Sequence, residues 1–160
     1  MSWDLYTSLE ASLKYFLETE ATTDNLVDSE GNSINFRIGR RFDNDWQLPE
    51  VTIYFESETA ERIFVGSNQR DERFLVILDI FAKTEIDRTM LARWITNTIN
   101  DGFQYYTFST NVATPDTPTK ATGGWASLNF LSNMRVALGQ NVDEIDAHRH
   151  RISINIWITE

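Results

Sequence analysis

Residues 73–81 (RFLVILDIF) are apolar at both odd and even positions. A strand of that kind has no face to offer water, so it needs a neighbour on each side and a covering layer above and below. It marks the centre of a sheet, and the rest of the chain must supply the cover. A helix signal follows at once. Thr84 is a good N-cap, and Asp87 stands at the third helical position of a capping-box-like start. Ile86, Met90, Leu91, Trp94, Ile95 and Ile99 recur at helical spacing and form the expected buried face, with Trp94 its largest member. Asn100-Asp101-Gly102 closes the helix, the glycine suiting a left-handed C-cap.

Either side of this pair the patterning is plain in most places. Leu5, Tyr6, Leu9, Leu13, Phe16 and Leu17 predict an amphipathic helix over residues 3–19, and the polar, turn-rich residues 20–33 predict a loop. Ile34, Phe36 and Ile38 alternate with polar residues, as do Val51, Ile53 and Phe55, giving two strands; residues 61–66 give a short third. The aromatic run 103–109 is a strand. Residues 110–124, with two of the three prolines and two glycines, predict a long loop of the kind that orders against a neighbour. Residues 125–138 fit a strand better than a helix, and Ile152, Ile154, Ile156 and Ile158 alternate strictly in a closing strand. The whole is an α+β chain, an antiparallel or mixed sheet with two main helices packed on it, in a single domain over residues 1–160.

Charge and composition exclude several functions. Fourteen basic residues against 24 acidic give a net charge of −10, and the first thirty residues hold seven acids and one base. Gripping nucleic acid needs the opposite balance. No cysteine is present, which removes disulfides, thiolate metal sites and cysteine nucleophiles. The first residues lack the basic and apolar runs of a signal peptide, and the longest apolar run, Phe74 to Leu78, is too short to span a bilayer. The chain is expected to work where it is made.

Each candidate for chemistry has a plainer explanation. Asp146, His148 and His150 share a strand face where they could meet a metal, yet their parity continues that of Ile152 to Ile158, and Arg149 and Arg151 fit a charged strand start. No serine elbow or phosphate-binding loop is present, and Gly123-Gly124 carries no such meaning. Asp79 inside the apolar strand needs a partner, and a structural ion pair fits better than a catalytic acid. No catalytic, cofactor-binding or metal-ligating residue is assigned, and an enzyme is not expected. Arg37, Arg40 and Arg41 suit ion pairs across a subunit boundary. Trp46, Trp125 and the two loop prolines Pro115 and Pro118 complete the candidate interface residues.

The segment Phe74-Leu75-Val76-Ile77-Leu78-Asp79-Ile80-Phe81-Ala82-Lys83, the helix after it, the order of elements around them and the closing phrase Ile154-Asn155-Ile156-Trp157-Ile158 resemble the tail terminator, or tail completion, proteins of long-tailed bacteriophages. Within that group the likeness is greatest to phages of the T5 type with non-contractile tails. The resemblance implies a homo-hexameric ring that caps the tail tube and presents a surface to the head connector. It implies a virion protein assembled in the host cytoplasm, with tail-tube and neck proteins as partners, and the acidic balance suits DNA passing through such a ring without specific binding. A neck or head-completion protein of similar fold is the alternative. A small metal-dependent enzyme, or an acidic binding module that mimics DNA, is a more distant one.

Overall fold

The computed structural model describes residues 4–39, 47–62, 70–111, 114–135 and 149–159. Two helices pack on one face of a mixed six-stranded sheet. The elements are α1 (Leu5–Thr23), β1 (Asn35–Ile38), β2 (Glu50–Arg62), β3 (Arg70–Phe81), α2 (Glu85–Ile99), β4 (Phe103–Asn111), β5 (Thr114–Arg135) and β6 (Arg149–Thr159). The strand order is β1-β2-β3-β6-β5-β4, with β1 parallel to β2 and the other neighbours antiparallel.

The doubly apolar segment is β3, and it lies between β2 and β6. Phe74, Val76, Leu78 and Ile80 point to the helices, as do Val51, Ile53 and Phe55 of β2 and Ile152, Ile154, Ile156 and Ile158 of β6. Leu9, Leu13 and Leu17 of α1 and Leu91, Ile95 and Ile99 of α2 close this core from the other side. The opposite parity of β3 is also withdrawn from water: Ile77 and Asp79 are buried, and so is Tyr54 of β2.

α1 starts where the Asp4 carboxylate accepts the Thr7 N–H at 2.7 Å. It runs through Thr23 and so takes in residues 20–23 of the expected loop, because Ala21 is itself buried against the core. The helix ends at Asn25, whose φ of 51° lets the Leu26 N–H reach back to the Ala21 carbonyl at 2.9 Å. Glu20, Thr22 and Thr23 read as loop in sequence, yet they line the outer side of the helix.

Two strand assignments need correction. The expected third strand at 61–66 is not separate: 61 and 62 are the end of β2, and 63–66 lie outside the described residues. The expected loop at 110–124 is mostly strand. β4 and β5 form a hairpin, and among the described residues β5 pairs from Thr114 to Ala126 with β4 alone, since its pairing with β6 begins at Ser127. This stretch is a two-stranded arm. Proline is tolerated there because, among the described residues, one side of β5 has no strand to receive an N–H. The ambiguous residues after 125 are strand through Arg135, and 136–138 lie outside the described residues.

β4 is an outer strand of the sheet, and α1 lies against it. The Ser12 hydroxyl accepts the Tyr106 N–H at 2.9 Å and donates to the Ser8 carbonyl at 2.7 Å. Ahead of this point β5 carries one extra residue, Gly123, in a register shift opposite Tyr105 and Tyr106. The Tyr105 ring lies over Gly123 so closely that a Cβ there would come within 2.3 Å of it. The glycine is therefore required by packing.

Candidate assembly surfaces

The interface candidates fall into separate groups. Arg37 is on β1, at one edge of the sheet, where its guanidinium is 3.7 Å from the Glu50 carboxylate. It pairs within its own chain. Arg40, Arg41 and Trp46 lie outside the described residues. Pro115, Pro118 and Trp125 are all on β5, beside the opposite edge strand β4. Pro118 is exposed, and Trp125 is 56% exposed, its indole N–H donating to the Asp101 carbonyl at 3.2 Å. The sequence grouped the two prolines with a flexible loop; they belong instead to the arm.

The base of the arm is fastened to α1. Lys120 places its ammonium 4.1 Å from the Tyr15 ring centre and 4.4 Å from that of Tyr106, and the two rings meet edge to face. Residues 118–123 are exposed along the arm, and they are mostly small or polar.

α2 presents a surface that its sequence pattern hid. Thr84 caps it as expected: its hydroxyl oxygen accepts the Asp87 N–H at 3.1 Å and its O–H donates to the Asp87 carboxylate at 2.6 Å. The expected buried face is only half right. Leu91, Ile95 and Ile99 are buried, whereas Ile86 is 78% exposed and Met90 37% exposed. Trp94 is half-buried, with its indole N–H donating to the Asp24 carboxylate at 2.8 Å. The helix is rotated so that Arg88 and Ala92 take the inward positions. Arg88 is accommodated because its guanidinium donates to the Ala82 carbonyl at 2.9 Å.

The polar clusters pair within the chain, although the buried Arg149 Nε has no hydrogen-bond partner among the described residues. Asp79 receives the Arg151 guanidinium in a fork, at 2.7 Å from Nε and 2.9 Å from Nη2, and Arg149 approaches to 3.7 Å. Arg151 also donates to the Tyr54 hydroxyl at 3.1 Å. The hydrogen bond to Asp79 holds the Arg151 pKa above its ordinary value. The expected ion pair for Asp79 is present. In sequence Arg149 and Arg151 fit a charged strand start, and the signal that identifies Arg151 as the partner is register, since it lies directly across from Asp79 on β6. Near the N-terminus of α2, Asp87 accepts from the Ser29 N–H at 2.9 Å and the Ser29 hydroxyl at 2.8 Å. Asp28 accepts the Glu30 and Asn32 N–H groups at 3.0 and 2.7 Å. Burial pushes both carboxyls up, and these hydrogen bonds more than offset it, so both end below the ordinary 3.8.

Of the metal candidates, Asp146 and His148 lie outside the described residues, and the His150 ring nitrogen contacts the Asn133 side chain. Among the described residues no group of three or more His, Cys, Asp or Glu is placed to hold a metal ion. Among them, too, no helix is long and apolar enough to cross a membrane. No model of a known protein family matches this sequence, and no curated protein is found to match it.

Proposed function

We propose that this chain is a structural virion protein, a subunit of a ring that ends a bacteriophage tail tube and offers the surface on which the head is joined. What supports this in the molecule is the placement of contact candidates at opposite edges of one sheet. A ring forms when one surface of a subunit meets a different surface of the next and the rotation closes. Arg37 marks the β1 edge, and the arm with Pro118 and Trp125 marks the β4–β5 edge.

The arm itself argues for a neighbour. Beyond its contact with α1 the arm is a two-stranded ribbon with residues 118–123 exposed, a kind of element that gains order when seated on another subunit. Trp125, more than half exposed and fixed through its indole N–H, has the character of an interface anchor. The net charge of −10 suits a ring through which a duplex must slide without sticking. The element order α1, early strands, β3, α2 and a closing β6 is the order that the family resemblance implies.

Molar mass in solution, alone and with tail-tube protein, tests the reading. The expected result is a discrete closed oligomer, six subunits in the simplest case, that binds the end of the tube. A neck protein would bind the head connector and leave the tube alone. A stable monomer with affinity for neither would overturn the assignment.

A further inference from the structure

We infer that Arg149 is a binding site for one carboxylate group, supplied by a small acid in solution or by an acidic side chain of a second copy. Arg149 and Arg151 stand two apart on β6, on the sheet face turned away from the helices. Asp79 of β3 is the acid that both approach. It cannot serve both. Its oxygens already accept from Arg151, Oδ1 from Nε at 2.7 Å and Oδ2 from Nη2 at 2.9 Å. Arg149 is left with Nη1 at 3.7 Å from Oδ2, beyond hydrogen-bond distance. Its Nε is buried, with no hydrogen-bond partner among the described residues.

A guanidinium carries five N–H donors and a permanent positive charge. The Arg149 side chain is only 20% exposed, and Phe81, directly across on β3, is buried. Most of the group is therefore held out of water. A buried donor calls for an acceptor, and beside a fixed positive charge the acceptor that gains most is an anion. The remaining exposure sets the size of what enters: one small group, not a chain segment.

Charge narrows the class. Two guanidinium groups against the Asp79 carboxylate leave one positive charge in the cluster. Glu56, exposed at the register shift in β2, adds a weaker attraction to Arg151 and is screened by solvent. One negative charge balances the site. At −10 overall, the chain repels a phosphate dianion more strongly than a single carboxylate. A carboxylate also offers two oxygens in the plane of the guanidinium fork. The 24 acids of a second copy are a source as plausible in chemistry as a free acid. The site stands whether or not the chain forms a ring.

The arginine Nε–H resonances of the full chain test this, with Arg149 assigned as the signal lost in both Arg149→Gln and Arg149→Lys. Acetate is the probe, exchanged for chloride at constant ionic strength near neutral pH, in dilute protein. The expected result is a downfield shift of the Arg149 Nε–H that saturates with acetate. Acetate should also raise the thermal midpoint, by an increment that Arg149→Gln lacks. In chloride alone Arg149→Gln should melt no lower than the unmodified chain, because it removes an unmet donor and keeps the Asp79–Arg151 fork. If acetate is silent at dilution, yet the resonance and the molar mass rise together with protein concentration and Arg149→Gln abolishes both, the carboxylate is the second copy's and the inference stands. It is overturned if the resonance answers to neither acetate nor concentration, or if inorganic phosphate or chloride moves it as far as acetate does. It is also overturned if Arg149→Gln melts well below the unmodified chain in chloride, since the donor would then already be met.

Discussion

Asp79 lies in mid-strand with 4% of its surface exposed, and its carboxylate is balanced by a forked guanidinium from the next strand. Removing one member of such a pair strands the other, whereas replacing both with apolar groups costs little. Arg151→Met and Asp79→Leu are each expected to lower stability by roughly 3 kcal/mol, the low end of the buried-pair range because the Arg151 side chain is 29% exposed. The double variant should recover most of that loss, and a urea double-mutant cycle measures the coupling. Asp28 and Asp87 make a second residue-level case. Both carboxyls titrate lower in the folded chain than in the unfolded one. The unfolded chain therefore takes up their protons first as pH falls. Their contribution is complete above the ordinary carboxylate value near 4 and is lost as the pH drops through the lowered folded values. Glu10 has the opposite sign, since burial raises its pKa, and it offsets part of that loss. Asp87→Asn should cost about 1–3 kcal/mol at neutral pH and flatten the fall in stability as the pH drops below about 4. An acid profile equal to that of the unmodified chain would mean the network carries no linkage.

At the scale of elements, α2 separates what periodicity tells from what it does not. Its boundaries were readable because Thr84 and Gly102 do local chemistry that needs no tertiary context. Gly102 has φ +84°, and a Cβ there would meet the Ala126 carbonyl oxygen at 2.3 Å. Gly102→Ala is therefore expected to cost more than the ~1–2 kcal/mol of the left-handed conformation alone, as a lowered thermal midpoint would record. The rotation of α2 was not readable. Its apolar residues cover more than half its circumference, so spacing alone allows either Ile86–Met90 or Leu91–Ile95 to face the sheet. Ile95→Ala should cost about 2–5 kcal/mol, and Ile86→Ala less than about 0.5 in denaturant titrations of dilute monomer. Trp94→Ala should cost roughly 2 kcal/mol, about half the value for a fully buried ring. The core strands were legible because β6 alternates residue by residue and β3 is apolar at both parities. The arm was missed for the converse reason. Its prolines and glycines are loop signals in a sheet interior, and they fit a strand only where one flank is unpaired and a tyrosine ring needs the space above Gly123. The opposing Asp79 and Arg151 were both visible, but their pairing depends on strand register, which a local pattern does not contain.

For the whole molecule, the arm can be separated from the core. Thr107 pairs with Ala121 below the tip, and Lys120 and Tyr106 anchor the base on α1. Excising residues 109–119 and joining the ends with Asn-Gly keeps those contacts. The shortened chain should keep its denaturation midpoint within the equivalent of ~0.5 kcal/mol. It should fail to form the closed oligomer or to finish tails, as mass measurement and infectivity would show. Full infectivity would reduce the arm to a connector. The seryl hydroxyl between α1 and β4 has a further consequence. A sheet grows by presenting peptide groups along its last strand, and long exposed edges invite copies to stack without limit. Ser12 occupies the Tyr106 N–H at 2.9 Å, and α1 lies against β4 there. Along that stretch the chain cannot template another strand of its own kind. One hydroxyl oxygen thus closes that peptide group to an incoming strand.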